Sequence, residues 1–498
     1  MPRVSLIIVT LLAFLGPEQL FAQEPFKSIH QQEWEYYNAH PEAIPAPVPA
    51  PERQERTVTP AKRSALSTMV YGFHPYWMNG TEGNYQYDLL SHLAYFSADV
   101  DPVTGNFSST HNYSSAAVIN QAKIAGVKVH LTVVLFSKHD SLWAKQSRQD
   151  NLVNNILAKV KERDIAGVNI DFESMKSSDA VPFRKFILQL GDTLRKHNKK
   201  LCVELFAVDW SNVMPSSFFT AVDSVVESYF IMLYAYYYSG SSTAGPNAPL
   251  MTTSSTSYRH ILRSIKYYLD LGVPASKLIA GLPYYGIDWP VSSSARMAAT
   301  TASGSSRFYN VVKDNYLDTM KAENVFFDAT FSTPWYRYQS ASGWRQTWHD
   351  DSLSLARKYD SVMAKKIGGV GMWALGYDAP HKELWNLLRA KFTGAPNSVG
   401  SASTAPVSFG LLRNHPNPFN PSTTITYSVG EEQGGRRERT VLAVYDPLGR
   451  LVSRLVDAEQ APGVYSVVFN AAQLSAGPYI ARLTSGRSTL SQRLLLIK

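Results

Sequence analysis

Three polar side chains alternate along one short apolar segment, and two of them are carboxylic acids. The segment Gly167–Glu173 reads GVNIDFE. Because successive side chains of a β-strand point to opposite faces, Asn169, Asp171 and Glu173 share one face and the apolar residues between them share the other. Two carboxyl groups on one face can donate a proton and stabilise a developing positive charge, so the spacing indicates acid–base catalysis. The spacing also leaves open an interior ion-pair network without catalysis.

The scaffold that would hold these side chains is predicted by apolar runs that recur through residues 66–393. The runs are Met69–Phe73, His92–Ala98, Val127–Leu135, Gly167–Phe172, Leu201–Ala207, Tyr229–Tyr234, Leu278–Leu282 and Gly369–Ala374. Helical patterns lie between most of them, and eight strands with crossover helices predict an α/β fold, a (β/α)₈ TIM barrel. The stretch between the seventh and eighth runs is too long for a bare loop, which predicts a small inserted subdomain near residues 287–350. Glu173 ends the fourth run, where such barrels keep their active sites.

The fourth strand resembles the signature of glycoside hydrolase family 18, Asp-Gly-x-Asp-x-Asp-x-Glu. The match covers Gly167, Asp171 and Glu173, whereas Ala166 and Asn169 replace the first two aspartates. The form Gly-Val-Asn-Ile-Asp-Phe-Glu resembles the branch that contains spore-peptidoglycan hydrolases. Further motifs resemble those of the family in the same order, and they are Tyr71-Gly72-Phe73 with Pro75-Tyr76-Trp77, Met232-Leu233-Tyr234, Gly281–Gly286 and Gly368–Trp373.

The resemblance implies a chitinase or N-acetylglucosaminidase that cleaves β-1,4-linked N-acetylglucosamine polymers: chitin, chito-oligosaccharides or peptidoglycan glycan. In this family the acetamido oxygen of the substrate attacks the anomeric carbon, so that configuration is retained and no protein nucleophile is needed. The resemblance implies that Glu173 is the proton donor, that Asp171 orients the acetamido group, and that Tyr234 hydrogen-bonds its oxygen. It also implies a set of sugar-binding residues, namely Trp373, Asn169, Phe73 and Tyr285.

Two departures from the family pattern bear on activity. Asn169 cannot share a proton with Asp171, although its amide can donate a hydrogen bond that aims Asp171 towards Glu173. Ala235 stands where the family's Met-x-Tyr-Asp motif has its aspartate. The alternative function is therefore a sugar-binding barrel of the same fold with weak or no hydrolysis.

Other catalytic signatures do not occur in the sequence. There is no Gly-Lys phosphate loop, no Gly-x-Ser-x-Gly elbow and no His-Glu-x-x-His pair, so we expect neither cofactor nor metal. His349-Asp350-Asp351 could bind a cation, but we interpret it as a loop beside the cleft. The net charge of +8 is spread without a basic block, and Cys202 is the single cysteine, so we expect a monomer without disulfide or nucleic-acid partner.

Both ends of the chain indicate export. Residues 1–22 combine Arg3, a short apolar stretch and a small-residue site at Ala22, which predicts a signal peptide. The predicted order then continues with a Pro-rich linker over 23–65, the barrel over 66–393, a Gly/Ser/Ala-rich linker over 394–408 and a C-terminal domain over 409–498. We therefore expect a secreted or surface-attached protein.

The last ninety residues predict a small all-β domain. Alternating strands at Thr440–Tyr445, Val464–Phe469 and Tyr479–Leu483, with turns at Pro447-Leu448-Gly449 and Pro462-Gly463, are typical of an immunoglobulin-like sandwich. A carbohydrate-binding module is one interpretation. The opening motif Asn414–Ile425 and the Val444–Gly449 turn resemble the C-terminal sorting domain of the type IX secretion system, which implies that machinery as a partner.

Overall fold

The computed structural model describes residues 26–44, 65–207, 213–252, 259–314, 322–393, 410–411, 414, 419–429, 438–460, 463–486 and 488–497. The predicted signal peptide, the predicted spacer over 394–408 and most of the Pro-rich stretch lie outside these residues. No helix among the described residues has the length and apolar character that a membrane crossing requires.

Strands of the first 393 residues fall into a barrel set and an inserted set. In chain order they are β1 (Met69–Pro75), β2 (His92–Val100), β3 (Phe107–Ser109), β4 (Lys128–Leu135), β5 (Gly167–Phe172), β6 (Lys200–Phe206), β7 (Ser228–Met232), β8 (Leu278–Pro283), β9 (Tyr285–Val291), β10 (Ser305–Phe308), β11 (Val325–Asp328), β12 (Thr333–Ser340), β13 (Gly343–Trp348) and β14 (Gly369–Trp373).

Eight parallel strands form a closed barrel. Their order is β1-β2-β4-β5-β6-β7-β8-β14, and β14 pairs with β1 to close the ring. Each of the eight apolar runs of the sequence is one of these strands, so the TIM-barrel prediction is confirmed. Closure leaves no barrel edge for pairing with other chains, since every barrel strand has a neighbour on both sides.

Helices surround the barrel and cover its outer face, except for one short helix of the inserted set. They are α2 (Ala117–Ile124), α3 (His139–Trp143), α4 (Gln146–Glu162), α5 (Ala180–Lys196), α6 (Ser216–Val222), α7 (Ile261–Asp270), α8 (Tyr309–Val312), α9 (Ser352–Met363) and α10 (Glu383–Phe392), and they follow a helix α1 (Ile29–Ala39). The exception is α8, which lies between β10 and β11 and contacts β9 and β10. Phe172 of β5 shows how the outer face packs: its ring is stacked on Phe186 of α5, with the ring centroids 5.6 Å apart. This outward packing directs the alternate side chains of β5 into the barrel.

The insertion between β8 and β14 is a five-stranded antiparallel sheet. Its strand order is β10-β9-β13-β12-β11, so the predicted inserted subdomain near 287–350 is confirmed, with its first strand beginning at Tyr285. The loop that follows is built by Asp350 and Asp351. Asp351 caps α9 by accepting from the Ser354 amide, and Asp350 forms a buried ion pair with Lys358.

The N-terminal segment differs from its prediction. A linker was expected over 23–65, but residues 26–44 are ordered around α1, so the spacer interpretation is wrong there. Ser28 caps α1 by accepting from the Gln31 amide, and Ile29, His30 and Glu33 are buried. The closely spaced prolines that favour an extended chain begin at Pro41, after α1 has ended, and α1 itself contains neither proline nor glycine.

The C-terminal region forms two antiparallel sheets with a core of their own. The strands are β15 (Gly410–Leu411), β16 (Ser422–Val429), β17 (Glu438–Tyr445), β18 (Leu451–Gln460), β19 (Gly463–Asn470), β20 (Gly477–Ser485) and β21 (Ser488–Leu496). One sheet has the order β15-β16-β19 and the other β18-β17-β20-β21. Ile425 and Phe469 of the first sheet and Leu442 and Leu483 of the second belong to one buried cluster. The three predicted strands of this region are confirmed.

Candidate active site

Asn169, Asp171 and Glu173 point into the barrel at its C-terminal end, as the alternation of β5 predicts. Asn169 and Asp171 have no exposed surface and Glu173 is 1% exposed. Glu173 follows the last residue of β5, and its amide donates to the Leu135 carbonyl at 2.9 Å. The neighbouring strand therefore fixes the backbone from which the Glu173 carboxyl group projects.

Asp171 and Glu173 form an electrostatically coupled pair. Burial raises the pKa of Asp171 to about 8, and a hydrogen bond with Glu173 opposes this rise. Burial and the charge of Asp171 raise the pKa of Glu173 well above its usual range, whereas His30 and Ser28 lower it. Glu173 therefore keeps its proton at neutral pH, which is the protonation state that a general acid requires.

Tyr234 reaches the same point from the end of β7. Its hydroxyl lies 2.8 Å from Nε2 of His30, whose Nδ1 lies 2.9 Å from Asp171 Oδ2. The next residue, Ala235, has a positive φ of 59°, and its amide donates to Asn247 Oδ1 at 2.8 Å. The Asn247 side chain therefore holds the backbone turn that places the Tyr234 hydroxyl beside the carboxyl pair.

Aromatic rings form the floor and one wall of the site. Trp373 is fully buried at the end of β14, and Phe73 packs against it with ring centroids 5.5 Å apart. Tyr285 contacts Tyr234 edge to face, with centroids 6.0 Å apart. The structure therefore brings together Trp373, Phe73 and Tyr285 around the acidic pair.

Glu204 of β6 is a site residue that the sequence interpretation missed. It lies 4% exposed among apolar neighbours, and the Asn169 amide donates to its Oε1 at 2.5 Å. The expectation that Asn169 donates to Asp171 is therefore wrong, because its Nδ2 instead faces Glu204 and the Thr132 hydroxyl. The signal in the sequence is one ionisable residue inside the apolar run Leu201–Ala207, which is predicted only as a barrel strand.

The N-terminal segment supplies further residues that sequence reasoning did not place here. The Ser28 hydroxyl donates to Glu173 Oε1 at 2.8 Å. The His30 imidazole is stacked on Trp373 with ring centroids 3.7 Å apart. Glu33 Oε2 accepts from Trp373 Nε1 at 3.0 Å and from the Tyr377 hydroxyl at 2.5 Å.

Burial shifts the ionisation of both titratable residues that the segment brings into the site. It lowers the pKa of His30 to about 4, against the opposing charge of Glu173. It raises the pKa of Glu33 to about 8, although hydrogen bonds from Tyr377 and Trp373 oppose the rise. At neutral pH the imidazole is therefore uncharged and carries a single N–H. We assign this hydrogen to Nδ1, because Nδ1 faces the carboxyl groups of Asp171, Glu173 and Glu204, so that Nδ1–H donates to Asp171 and Nε2 accepts from the Tyr234 hydroxyl.

A cavity of about 580 Å³ remains beside the segment. Phe26, Ser28 and Ile29 line one side, and the other side includes Asp171 and Glu204. Apolar and aromatic residues of the barrel rim complete the lining, including Met175, Phe206, Met214, Met232, Tyr234 and Tyr236. A space of this size, apolar with a few convergent polar groups, is typical of a small-molecule site.

Among the described residues, two groups bring three candidate metal ligands together: His30, Asp171 and Glu204, and His92, His130 and Glu227. In the first group both imidazole nitrogens are already engaged by hydrogen bonds to Asp171 and Tyr234. The His349-Asp350-Asp351 cluster is not among these groups, and Asp350 is neutralised by Lys358.

Comparison with known proteins places these residues in a family context. The family model Glycosyl hydrolases family 18 matches residues 69–378. The relative named Putative sporulation-specific glycosylase YdhD, from Bacillus subtilis (strain 168), is 28% identical over 228 residues, 45% of this chain and 50% of the relative. Cortical fragment-lytic enzyme of the same organism is 22% identical over 249 residues, 48% of this chain and 53% of the relative. The chain thus spans about half the length of these two relatives.

The fold is also similar to solved structures. A family 18 chitinase from Cycas revoluta, solved as a mutant in complex with (GlcNAc)4, superposes with a TM-score of 0.58 at 16% identity. The similarity covers 65% of this chain and 99% of that one. At this identity the likeness supports the barrel architecture alone.

Proposed function

The chain belongs to the glycosyl hydrolases of family 18, and we propose that it cleaves β-1,4-linked N-acetylglucosamine polymers by a retaining, substrate-assisted mechanism. The substrates of this proposal are chitin, chito-oligosaccharides or peptidoglycan glycan. The single observation that carries it is the position of Asp171 and Tyr234, which both contact one small polar ring while Glu173 lies next to them.

The donor and acceptor pattern of this pair fits an acetamido group. Asp171 accepts an N–H at 2.9 Å and the Tyr234 hydroxyl lies 2.8 Å from an acceptor nitrogen of the same ring. An acetamido group also presents one N–H and one acceptor, its carbonyl oxygen. A substrate bound in this way would have its N–H fixed by Asp171 and its carbonyl oxygen fixed by Tyr234, ready to attack the anomeric carbon of the same sugar.

Hydrolysis then proceeds in two displacements. Glu173 gives its proton to the glycosidic oxygen while the acetamido oxygen bonds to the anomeric carbon and the glycosidic bond breaks. Asp171 stabilises the positive charge of the resulting oxazolinium ion. Glu173, now ionised, removes a proton from water, whose oxygen opens the oxazolinium and restores the original anomeric configuration. Trp373 supplies the apolar floor beneath the sugar.

Glu204 is a positioning residue in this proposal. Its Oε1 holds the Asn169 amide, and its Oε2 has no hydrogen-bond partner among the described residues. That second oxygen faces the site, 3.5 Å from the nitrogen of His30 that contacts Asp171. Glu204 thus places a carboxyl group near Asp171 in a chain in which residue 235 is alanine, where the family motif has aspartate.

The experiment that tests the function is a digest panel with product masses. Chitin, chito-oligosaccharides of increasing length and purified peptidoglycan are incubated with the protein, and the anomer formed first is recorded by NMR. We expect β-anomer products from at least one substrate, because retention follows from two displacements at one carbon. The relative amounts and sizes of products distinguish chitin from peptidoglycan glycan and endo from exo cutting.

The second candidate function is a sugar-binding barrel with little or no hydrolysis. The observations that favour it are Asn169 and Ala235, each of which lacks a carboxyl group that the family pattern contains. Binding of (GlcNAc)4 without release of reducing sugar, in the wild-type chain and also in a His30→Ala chain that lacks the contacts with Asp171, Tyr234 and Trp373, would establish this function and refute the proposed hydrolysis. Release of reducing sugar that depends on Glu173 would exclude it.

We also propose export by the signal peptide and the type IX secretion system, with the C-terminal domain as an immunoglobulin-like sorting domain. Two observations support the proposal: the two sheets of residues 410–497 have their own core, and the Val444–Gly449 motif forms a tight turn. In that turn the Gly449 amide donates to the Asp446 carbonyl, and Gly449 has a φ of 81°. Detection of the protein at the cell surface or in the medium, and its loss when type IX secretion is inactivated, tests this localisation.

A further inference from the structure

We propose that residues 26–44 are an intramolecular inhibitor that occupies the sugar-binding cleft, so that hydrolysis requires their displacement. The proposal rests on the proposed function, because it assigns the blocked groups their catalytic roles. With the segment in place, Asp171 has no exposed surface and Glu173 is 1% exposed. A polysaccharide cannot contact side chains that are covered in this way, so the described arrangement is a closed state.

The His30 imidazole takes the position that the proposed mechanism gives to the acetamido group. Its Nδ1–H donates to Asp171 and its Nε2 accepts from Tyr234, which is the same pair of contacts. Its ring also lies on the Trp373 indole, with centroids 3.7 Å apart and 30° between the planes. One side chain thereby satisfies both polar contacts and covers the aromatic floor.

The residue two positions earlier contacts the proton donor. The Ser28 hydroxyl donates to Glu173 Oε1 at 2.8 Å. That oxygen is therefore engaged by the segment, whereas Oε2 is buried without a hydrogen-bond partner among the described residues. Ser28 is also the N-cap of α1, so the same residue fixes the start of the helix and the contact with the acid.

The rest of α1 anchors the segment to the barrel rim. Glu33 accepts hydrogen bonds from Trp373 and Tyr377, and Trp34 Nε1 donates to Asp99 Oδ2 at 2.8 Å. The Tyr37 ring is stacked on Trp77, with centroids 4.8 Å apart and 13° between the planes. These contacts involve side chains rather than strand pairing, so the barrel sheet stays closed whether or not the segment is bound.

Covalent attachment makes this inhibition effective. Residues 45–64 join the segment to the barrel and contain Pro45, Pro47, Pro49 and Pro51. Because the segment and the barrel belong to one chain, docking is intramolecular, and linked groups reach effective concentrations on the order of millimolar, so even a weak peptide ligand stays bound. Cutting the tether would turn binding into a bimolecular equilibrium that dilution shifts towards the open cleft.

The first test compares substitutions in the full chain. His30→Ala removes the two polar contacts and the stacking, whereas Tyr36→Ala changes an exposed side chain on the same helix, 53% exposed. We expect hydrolysis of (GlcNAc)4 to rise roughly 10- to 100-fold in His30→Ala and to stay unchanged in Tyr36→Ala, because buried hydrogen bonds to charged groups change equilibria by about this factor. Tyr37→Ala provides a second release variant, and equal, measurable rates of hydrolysis in all four chains would overturn the proposal.

The second test separates inhibition from catalysis. In a Glu173→Gln background, (GlcNAc)4 binding is measured by calorimetry with His30 and with His30→Ala, and hydrogen exchange of residues 29–39 is followed before and after addition of the sugar. Tighter binding in His30→Ala, with faster exchange of residues 29–39 when the sugar binds, supports inhibition even if no chain hydrolyses the sugar. If no chain hydrolyses the sugar, the proposed hydrolysis is refuted while the inhibitor proposal stands. Equal binding, with unchanged and slow exchange in the presence of sugar, would refute the inhibitor.

A chain with a specific protease site inserted after Ala50 provides the matching release experiment. Activity is compared before cleavage, after cleavage, and after cleavage and dilution. We expect activity per molecule to rise on dilution only in the cleaved sample. If the uncleaved chain is already as active as the cleaved and diluted one, the segment does not inhibit.

Discussion

The imidazole of His30 lies face to face with the indole of Trp373, and the same imidazole bridges Asp171 and Tyr234. Four parts of the chain therefore meet at this imidazole: the N-terminal segment, the fourth barrel strand, the end of the sixth and the last barrel strand. The imidazole thus occupies the contacts that the proposed mechanism assigns to the acetamido group of the substrate.

Glu173→Gln should nearly abolish hydrolysis while sugar binding is retained. Glutamine keeps the shape of the side chain and can still accept from Ser28, but it has no proton to give to the glycosidic oxygen. Positioned proton transfer contributes roughly 10²- to 10⁴-fold, so kcat should fall by that factor in the wild-type and His30→Ala chains alike. A variant that retains most of its turnover would show that another residue is the acid.

In the His30→Ala chain, where the imidazole no longer contacts either residue, Asp171→Asn and Tyr234→Phe should each slow cleavage strongly. Both groups fix the acetamido group and stabilise charge that develops as the oxazolinium ion forms, and the loss of one such contact typically reduces kcat by about 10²- to 10³-fold. A thiazoline mimic of the oxazolinium should inhibit the His30→Ala chain more strongly than the wild-type chain. Trapping of a covalent sugar–enzyme adduct would instead rule out the substrate-assisted mechanism.

Glu204→Ala should reduce kcat/KM by about tenfold or more, and Glu204→Gln should recover most of the loss. Alanine leaves the buried Asn169 amide without its acceptor, which costs about 1–3 kcal/mol and allows the side chains around Asp171 to shift. Glutamine restores an acceptor oxygen at the same position. Crystal structures or NMR of both variants would report whether Asn169 moves, and full activity of Glu204→Ala would contradict a positioning role.

Much of the barrel and its acidic pair followed from local patterns. The eight strands are short apolar runs, and the alternation of β5 was sufficient to put Asp171 and Glu173 on the inner face. The family-like motifs, which occur along the chain in the family's order, likewise predicted Tyr234 and Trp373 as site residues. The insertion was predictable because the chain between β8 and β14 is too long to be a simple connection.

Two features could not be predicted because they depend on contacts between distant residues. Glu204 lies in a run that reads as an apolar strand, and only the neighbouring strand reveals that its partner is Asn169. The role of His30 depends on residues 141 and 204 positions further along the chain. The sequence pattern of α1 does not predict that this helix packs on the barrel, since its buried face contains His30 and Glu33 rather than an apolar stripe.

Glu33→Gln should strengthen inhibition at alkaline pH. Burial raises the pKa of Glu33 to about 8 in the docked segment, from an ordinary value near 4.5. The contribution of Glu33 to docking is therefore most favourable below about pH 4.5 and weakens as the pH rises towards 8. The reason is that the Glu33 carboxyl group of the undocked segment, which is exposed to solvent, loses its proton more readily than that of the docked segment. Glutamine keeps an acceptor for Trp373 and Tyr377 and does not titrate.

The measurement for this variant is the ratio of its activity to that of the wild-type chain. His30, Asp171, Glu173, Glu204 and Tyr234 titrate in both chains, so their first-order effects cancel in the ratio. His30 acts in the opposite sense to Glu33, because burial lowers its pKa to about 4 and docking through it weakens as the pH falls below 6.5. We expect a ratio near one at pH 4.5 and about tenfold lower at pH 8, whereas a ratio independent of pH would contradict the coupling of Glu33 to docking.

Truncation after Gly394 should leave a folded barrel with unchanged activity on soluble chito-oligosaccharides. The barrel domain is closed before this point, because the Ser67 amide donates to the Phe392 carbonyl at 2.7 Å and Leu66 pairs with Thr393. The described residues of the C-terminal sheets have a separate core, and no tryptophan occurs after Trp385 to suggest an aromatic sugar-binding face.

The same truncation should change where the protein accumulates. In a host with type IX secretion, we expect the truncated chain in the periplasm and the full chain at the surface or in the medium, measured by fractionation and immunoblotting. A truncated chain that still reaches the surface would contradict the sorting role. Normal export with activity lost only on insoluble polymer would instead make the C-terminal sheets a carbohydrate-binding module, because loss of a binding surface lowers the local concentration of enzyme on the polymer without affecting the barrel.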